Sequence, residues 1–182
     1  TTPHYVSFGS HPHPNSFLFA IEGNPCPLAR NRFFNRGLYG PSKKKMTLFK
    51  TIMQHGMNSQ HITSIPFPIN IPVSVTAWFY MKRPLQHFVG RRRLAGNLRP
   101  QHNTQPAWVI SCNGPDVDNL AKFVMDAMNK TIYQDDGQVI HLLVYKTLDN
   151  HSSCLGRTIL LVHPAQGHFS QPPTFSYFPT SP

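Results

Sequence analysis

GPDVDNLAKFVMDAMNKTIYQDDGQVIHLLVYK, residues 114–146, reads as a helix, a turn and a strand in unbroken order. Leu120, Phe123, Val124, Ala127 and Met128 fall at i, i+3, i+4, i+7 and i+8, which predicts a helix over 118–130 with one apolar stripe suited to a sheet. Asp118, Lys122 and Asp126 share the opposite face. Asp135, Asp136 and Gly137 carry the signature of a tight Asp-Gly turn. Val139 to Lys146 follows as an apolar strand.

Working outward, Val73 to Tyr80 alternates apolar and polar residues, the pattern of a half-buried strand. Ser16 to Ile21, Trp108 to Ser111 and Arg157 to His163 read as further strands. Met46, Phe49, Ile52 and Met53 take helical spacing within 43–61, where Gly56 weakens the end. Strands mixed with two main helices predict an α+β fold. The polar loop at 82–106 exceeds the usual length of a featureless connection, so it is expected to be functional or mobile. Residues 1–15 read as an unstructured arm, 16–163 as one domain, and 164–182, with five prolines and no charged side chain, as a disordered tail.

Charge is unevenly spread. The 182 residues hold 17 Lys and Arg against 7 Asp and Glu, a formal charge of +10. Five acids lie within 116–136, a window that carries −3 with Lys122 and Lys130, which leaves +13 on the rest. A basic body around one acid cluster points to a polyanion with chemistry done at the cluster. No run approaches the ~18 apolar residues of a membrane-spanning helix, and no membrane partner is expected. The start lacks a secretory signal, and the three cysteines form no CxxC pair, so an intracellular, reducing setting is expected. The compartment stays open, as does an origin of the arm in an organelle transit segment.

The acids suggest a mechanism. Pro115 sets an extended entry, where Asp116 and Asp118 would point to one side, and Asp118 stands at the expected helix N-cap. If helix and strand pack as neighbours, Asp135 and Asp136 return towards the first pair. Gathered carboxylates repel unless a cation neutralises them, and oxygen-only ligands select Mg²⁺ or Mn²⁺. Such ions serve phosphodiester hydrolysis, with Lys122 able to hold the scissile phosphate. Spacing alone leaves this reading level with a cluster of plain caps and turns.

The same stretch resembles the RusA-type Holliday junction resolvases, whose signature runs P-D-x-D-N-L-x-K-x-x-x-D-A-L, a short turn, D-D-x-Q-V and a strand ending in Lys. Pro115, Asp116, Asp118, Asn119, Leu120, Lys122, Asp126, Ala127, Asp135, Asp136, Gln138, Val139 and Lys146 match it. Gly23, Pro25, Arg30 and Arg32 resemble the family's entry motif, and His87 the histidine after its second core strand. Asn129-Lys130 departs from the common Asn-Gly, and 85–113 is an insertion. The resemblance implies a mixed sheet with two main helices packed on it and a homodimeric, Mg²⁺-dependent endonuclease that resolves four-way DNA junctions by paired nicks. It assigns Asp116, Asp118 and Asp136 as catalytic, metal-binding acids, Lys122 as catalytic lysine, and Asp135 as auxiliary metal ligand.

DNA contacts are expected from Arg30, Arg32, Arg36 and Phe33, with Phe34 and Tyr39, in a loop able to touch phosphates and stack on bases. Lys43, Lys44 and Lys45 open the first helix, and Arg91, Arg92 and Arg93, with Lys82, Arg83 and Arg99, form a second basic patch. Two other readings stay open: a non-catalytic nucleic-acid-binding or assembly protein, and a nuclease for flaps or other branched DNA.

Overall fold

The computed structural model describes residues 15–29, 32–34, 37–39, 42–59, 61–90, 92–103, 114–151 and 153–165. Residues 1–14 of the expected arm 1–15, the strand expected at 108–111 and residues 166–182 of the expected tail 164–182 lie outside them, as do the side chains of Arg32, Phe33, Phe34 and Tyr39. In chain order the elements are β1 (Phe17–Glu22), β2 (Arg32–Phe34), β3 (Gly37–Tyr39), α1 (Lys43–Asn58), β4 (Val73–Met81), α2 (Val117–Met128), β5 (Val139–Leu148) and β6 (Arg157–Pro164). The main sheet runs β1-β6-β4-β5, and β2 and β3 pair apart from it. Among the described strands of this sheet, β4 and β5 are the parallel pair, with Trp78 opposite Tyr145, while β6 is antiparallel to both β1 and β4. The fold is the predicted α+β arrangement, a mixed sheet with two helices against it.

Strand alternation decides which side chains meet the helices. Val73, Val75, Ala77, Phe79 and Met81 are buried, and the residues between them are half-buried. With Phe19, Ile21, Leu160 and Val162 they form the apolar floor for Phe49, Ile52 and Met53 of α1 and Leu120, Phe123, Val124 and Ala127 of α2. Phe49 and Phe123 join the two helices edge to face, with centroids 5.6 Å apart and planes at 83°. Truncating a buried phenylalanine such as Phe123 to alanine costs about 3–5 kcal/mol.

Three helix boundaries differ from expectation, among them the end of the second helix, at Met128 rather than at 130. The first helix ends at Asn58 rather than at 61. The second starts one residue early: Asp116 is its N-cap, with φ −69° and ψ 150°, and Asp118 lies in the first turn. The extended backbone therefore stops at Asp116, and both carboxylates stand at the helix N-terminus rather than along one strand.

The apolar strand expected from Val139 to Lys146 forms and runs on to Leu148. It is the outer strand of the sheet, and Leu142, Leu143 and Tyr145 are 44%, 51% and 43% exposed. Among the described residues, no helix is long and apolar enough to cross a membrane.

Candidate active site

α2 presents the first acid pair at its N-terminus. Asp116 and Asp118 are both exposed, and the Asp116 side chain makes no capping hydrogen bond, so its carboxylate is not spent on the helix. The positive end of the helix dipole favours negative charge there. Lys122, exposed and one turn further on, follows on the face of Asp118. Lys146 of β5 donates from Nζ to the Pro115 carbonyl at 3.0 Å, which fixes the backbone entering Asp116.

The second pair sits in a 3₁₀ turn, Asp136–Gln138, directly before β5. Asp135 caps it: its carboxylate accepts from the Gly137 N–H at 2.9 Å, and the Gln138 side chain completes a capping box. A Cβ on Gly137 would stand 2.9 Å from the Asp135 Oδ1, so a larger residue there would have to push that carboxylate aside. Asp136 is left with its carboxylate outside the cap. Gln138, matched only as a motif letter in the sequence, is a buried clamp. Its Oε1 accepts from the N–H groups of Gln134 and Asp135 at 2.9 and 3.0 Å. Its Nε2 donates to the carbonyls of Pro68 and Ile71 at 2.7 and 2.9 Å. The acid turn is thereby tied to the chain leading into β4.

Asp126 and Tyr133 were not among the predicted site residues, yet they adjoin the second pair. Burial pushes the Asp126 carboxyl up from its ordinary value, and the charge of Asp136 adds to it, while Lys122 and Lys50 oppose. Burial also raises the Tyr133 phenol, helped by Asp136, Asp126 and Asp135. The Tyr133 hydroxyl donates to the Met125 carbonyl at 2.9 Å, and Lys50 donates to that of Asn129 at 3.2 Å. The apolar spacing of α2 revealed the stripe but not that Asp126, on the other face, would meet Asp136.

An ion held by these acids would find only oxygen donors, the chemistry of a hard cation such as Mg²⁺. Among the described residues, no three His, Cys, Asp or Glu side chains gather closely enough to hold one. Mg²⁺ is often held by one or two carboxylates together with substrate phosphates and water, so the donors fit without forming a closed cage.

Of the expected DNA contacts, Lys43, Lys44 and Lys45 are exposed on the first turn of α1, where like charge opposes the helix dipole. Arg92 and Lys82 are exposed, Arg93 donates to the Arg83 carbonyl at 3.2 Å, and Arg99 donates to that of Phe88 at 3.1 Å. Arg30, Arg36 and Arg91 lie outside the described residues. Arg83 does not belong to the patch: it is 1% exposed. Its guanidinium donates to the carbonyls of Asp149 and His102 at 2.8 and 3.0 Å and to the Asn150 side chain, because only buried acceptors can satisfy a buried cation. His87 lies beside it, stacked on His102 with centroids 3.9 Å apart.

The family model described as "Endodeoxyribonuclease RusA" matches residues 22–154. A Bacillus subtilis (strain 168) protein, "Uncharacterized protein YqaN", is 30% identical over 134 residues, which cover 70% of this chain and 84% of that one. The matched span holds α1, α2, β4, β5 and both acid pairs. The chain belongs to the RusA family of endodeoxyribonucleases, the RusA-type Holliday junction resolvases.

Proposed function

We propose that this protein is a divalent-metal-dependent endonuclease that binds four-way DNA junctions as a homodimer and nicks two symmetry-related strands, with Mg²⁺ as the metal and Mn²⁺ as a substitute. The observation that carries the reading is the pair of uncommitted, exposed carboxylates at the N-terminus of α2, Asp116 and Asp118, in a chain of this family. Asp116, Asp118 and Asp136 would hold the ion, and Asp135 would support them through the turn that it caps. The ion would supply a lowered pKa for an attacking water and positive charge for the reacting phosphate. Lys122 would take up charge developing on the phosphate oxygens. Lys43, Lys44 and Lys45, with Arg92, neutralise flanking phosphates, and Arg30, Arg32, Arg36, Phe33, Arg91 and Arg93 extend that contact. Paired nicks on symmetry-related strands need two sites about a two-fold axis.

Purified protein with Mg²⁺ is tested on a labelled four-way junction beside linear duplex and flap controls. The expected result is symmetric nicking of the junction, abolished by Asp118→Asn with binding retained. Cutting that favours flaps would move the substrate to other branched DNA. Tight junction binding with no nicking in Mg²⁺ or Mn²⁺ would make the protein a non-catalytic binder.

A further inference from the structure

The chain between β4 and α2 reads in the sequence as a long polar loop, yet its described residues, 82–90 and 92–103, form a closed lobe. The Val89 N–H donates to the Asn97 carbonyl at 2.7 Å, and the Arg99 N–H to that of His87 at 2.9 Å. Phe88 and Leu98 form an antiparallel bridge between these bonds. Phe88, 1% exposed, roots the lobe in the body. Buried Arg83 ties down the far end through the His102 carbonyl at 3.0 Å.

The tip of this lobe is not polar. Val89 is 63% exposed and Leu94 is 47% exposed, and the cations Lys82 and Arg92 are exposed on the same lobe. Lone apolar side chains in water are ordinary on any surface. Here two stand within six residues, on a tip whose base the backbone has closed, in a loop rich in Lys and Arg. That composition suits entry into a base stack: cations take the phosphates, and an aliphatic side chain parts the bases. Val89, branched at Cβ, is also stiff at χ1, as a wedge must be.

The lobe stands at the end of the sheet that carries the first acid pair. It leaves β4 after Met81, which lies opposite Leu148, two residues beyond the pair of Phe79 and Lys146. Lys146 in turn holds the Pro115 carbonyl, next to Asp116.

We propose that Val89 and Leu94 form a wedge that enters the stack at the branch point of a DNA junction and so selects branched over linear DNA. Opening a step costs unstacking energy, and least where pairing or stacking is already broken. A wedge therefore favours a branch point over continuous duplex, a preference that phosphate contacts alone do not carry. This inference rests on the proposed junction-binding nuclease and adds the feature by which it would recognise the junction.

The test uses the full-length protein in EDTA, so that no strand is cut, and junctions carrying 2-aminopurine either at the branch point or in an arm away from it. Binding of the unaltered protein is expected to brighten the probe at the branch point and not the probe in the arm. Val89→Ser/Leu94→Ser is expected to abolish the brightening and to lower junction affinity at least about tenfold, as two apolar side chains lose their burial. Its affinity for linear duplex, and the salt dependence of that affinity, should stay unchanged. Both side chains are exposed, so circular dichroism and the melting temperature should also hold, and Leu94→Gln alone, expected to dim the probe, serves if the double variant does not fold. A junction bound without brightening, brightening that survives in the variants, or an equal loss on junction and duplex would overturn the wedge and leave the function standing. An unaltered protein that binds a junction no better than duplex would overturn the proposed function itself.

Discussion

Replacing Gln138 by methionine removes an amide that joins the acid turn to the chain before β4. The perturbation keeps the volume and leaves no cavity, so the loss comes from polar contacts alone. Two N–H groups, of Gln134 and Asp135, lose their acceptor, and two carbonyls, of Pro68 and Ile71, lose their donor. At about 0.5–1.5 kcal/mol for each hydrogen bond, the four sum to about 2–6 kcal/mol. A value near 3 kcal/mol lowers the melting temperature of a domain of this size by about 6–12 °C. Urea and thermal unfolding followed by circular dichroism measure it. Well below the new midpoint, junction binding should persist while nicking falls, because the turn that aims Asp136 has lost its anchor. A loss under about 1 kcal/mol, with nicking intact, would refute the clamp, since it would mean that water replaces all four contacts.

Other outcomes follow from single residues. Lys130 takes a left-handed backbone, φ 58°, where the family commonly has glycine, so Lys130→Gly should raise stability by about 1 kcal/mol in the same unfolding assay. Burial first, then His102 and Arg83, hold the His87 imidazole below its ordinary pKa of 6.5. As the pH falls below about 6.5 the unfolded chain takes up this proton before the folded one, so the contribution of neutral His87 is full above that pH and is lost below it. His87→Gln should flatten that part of the acid-side fall in melting temperature, and an undiminished fall would exclude His87 as its source. Arg83→Met should cost a few kcal/mol, on the order of 1.5–3 for each of the buried acceptors that lose a charged donor, yet leave the salt dependence of junction binding unchanged at low temperature. Alanine at Lys43, Lys44 and Lys45 should do the reverse, reducing the slope of log affinity against log salt by about 2.7 if each touches a phosphate.

The elements that sequence reading placed well are those whose evidence is local. The stripe from Leu120 to Met128 and the alternation from Val73 to Tyr80 each encode a buried face in a few residues, and both faces lie where their periods put them. Asp116 was misread because one residue decides whether a backbone leaves the strand region before or after it. Arg83 looked like one more surface cation, since its acceptors at 102, 149 and 150 come from chain far along the sequence. Gln138 was equally opaque, with Pro68 and Ile71 lying 70 and 67 residues away. The exposure of β5 could not be read at all: an apolar run records an appetite for burial, but sheet order decides whether its own chain satisfies it. The acids were legible as a motif.

The ring contact between Phe49 and Phe123 carries a meaning beyond stability. It joins the helix that begins with three lysines to the helix whose N-terminus carries two aspartates. Under the proposed function, a strand gripped at one helix is presented to the other with a fixed offset, counted in nucleotides. That offset would be a property of the oily interior rather than of any residue that touches DNA, so repacking these two rings could move the position of a cut while every contact to the substrate stays the same.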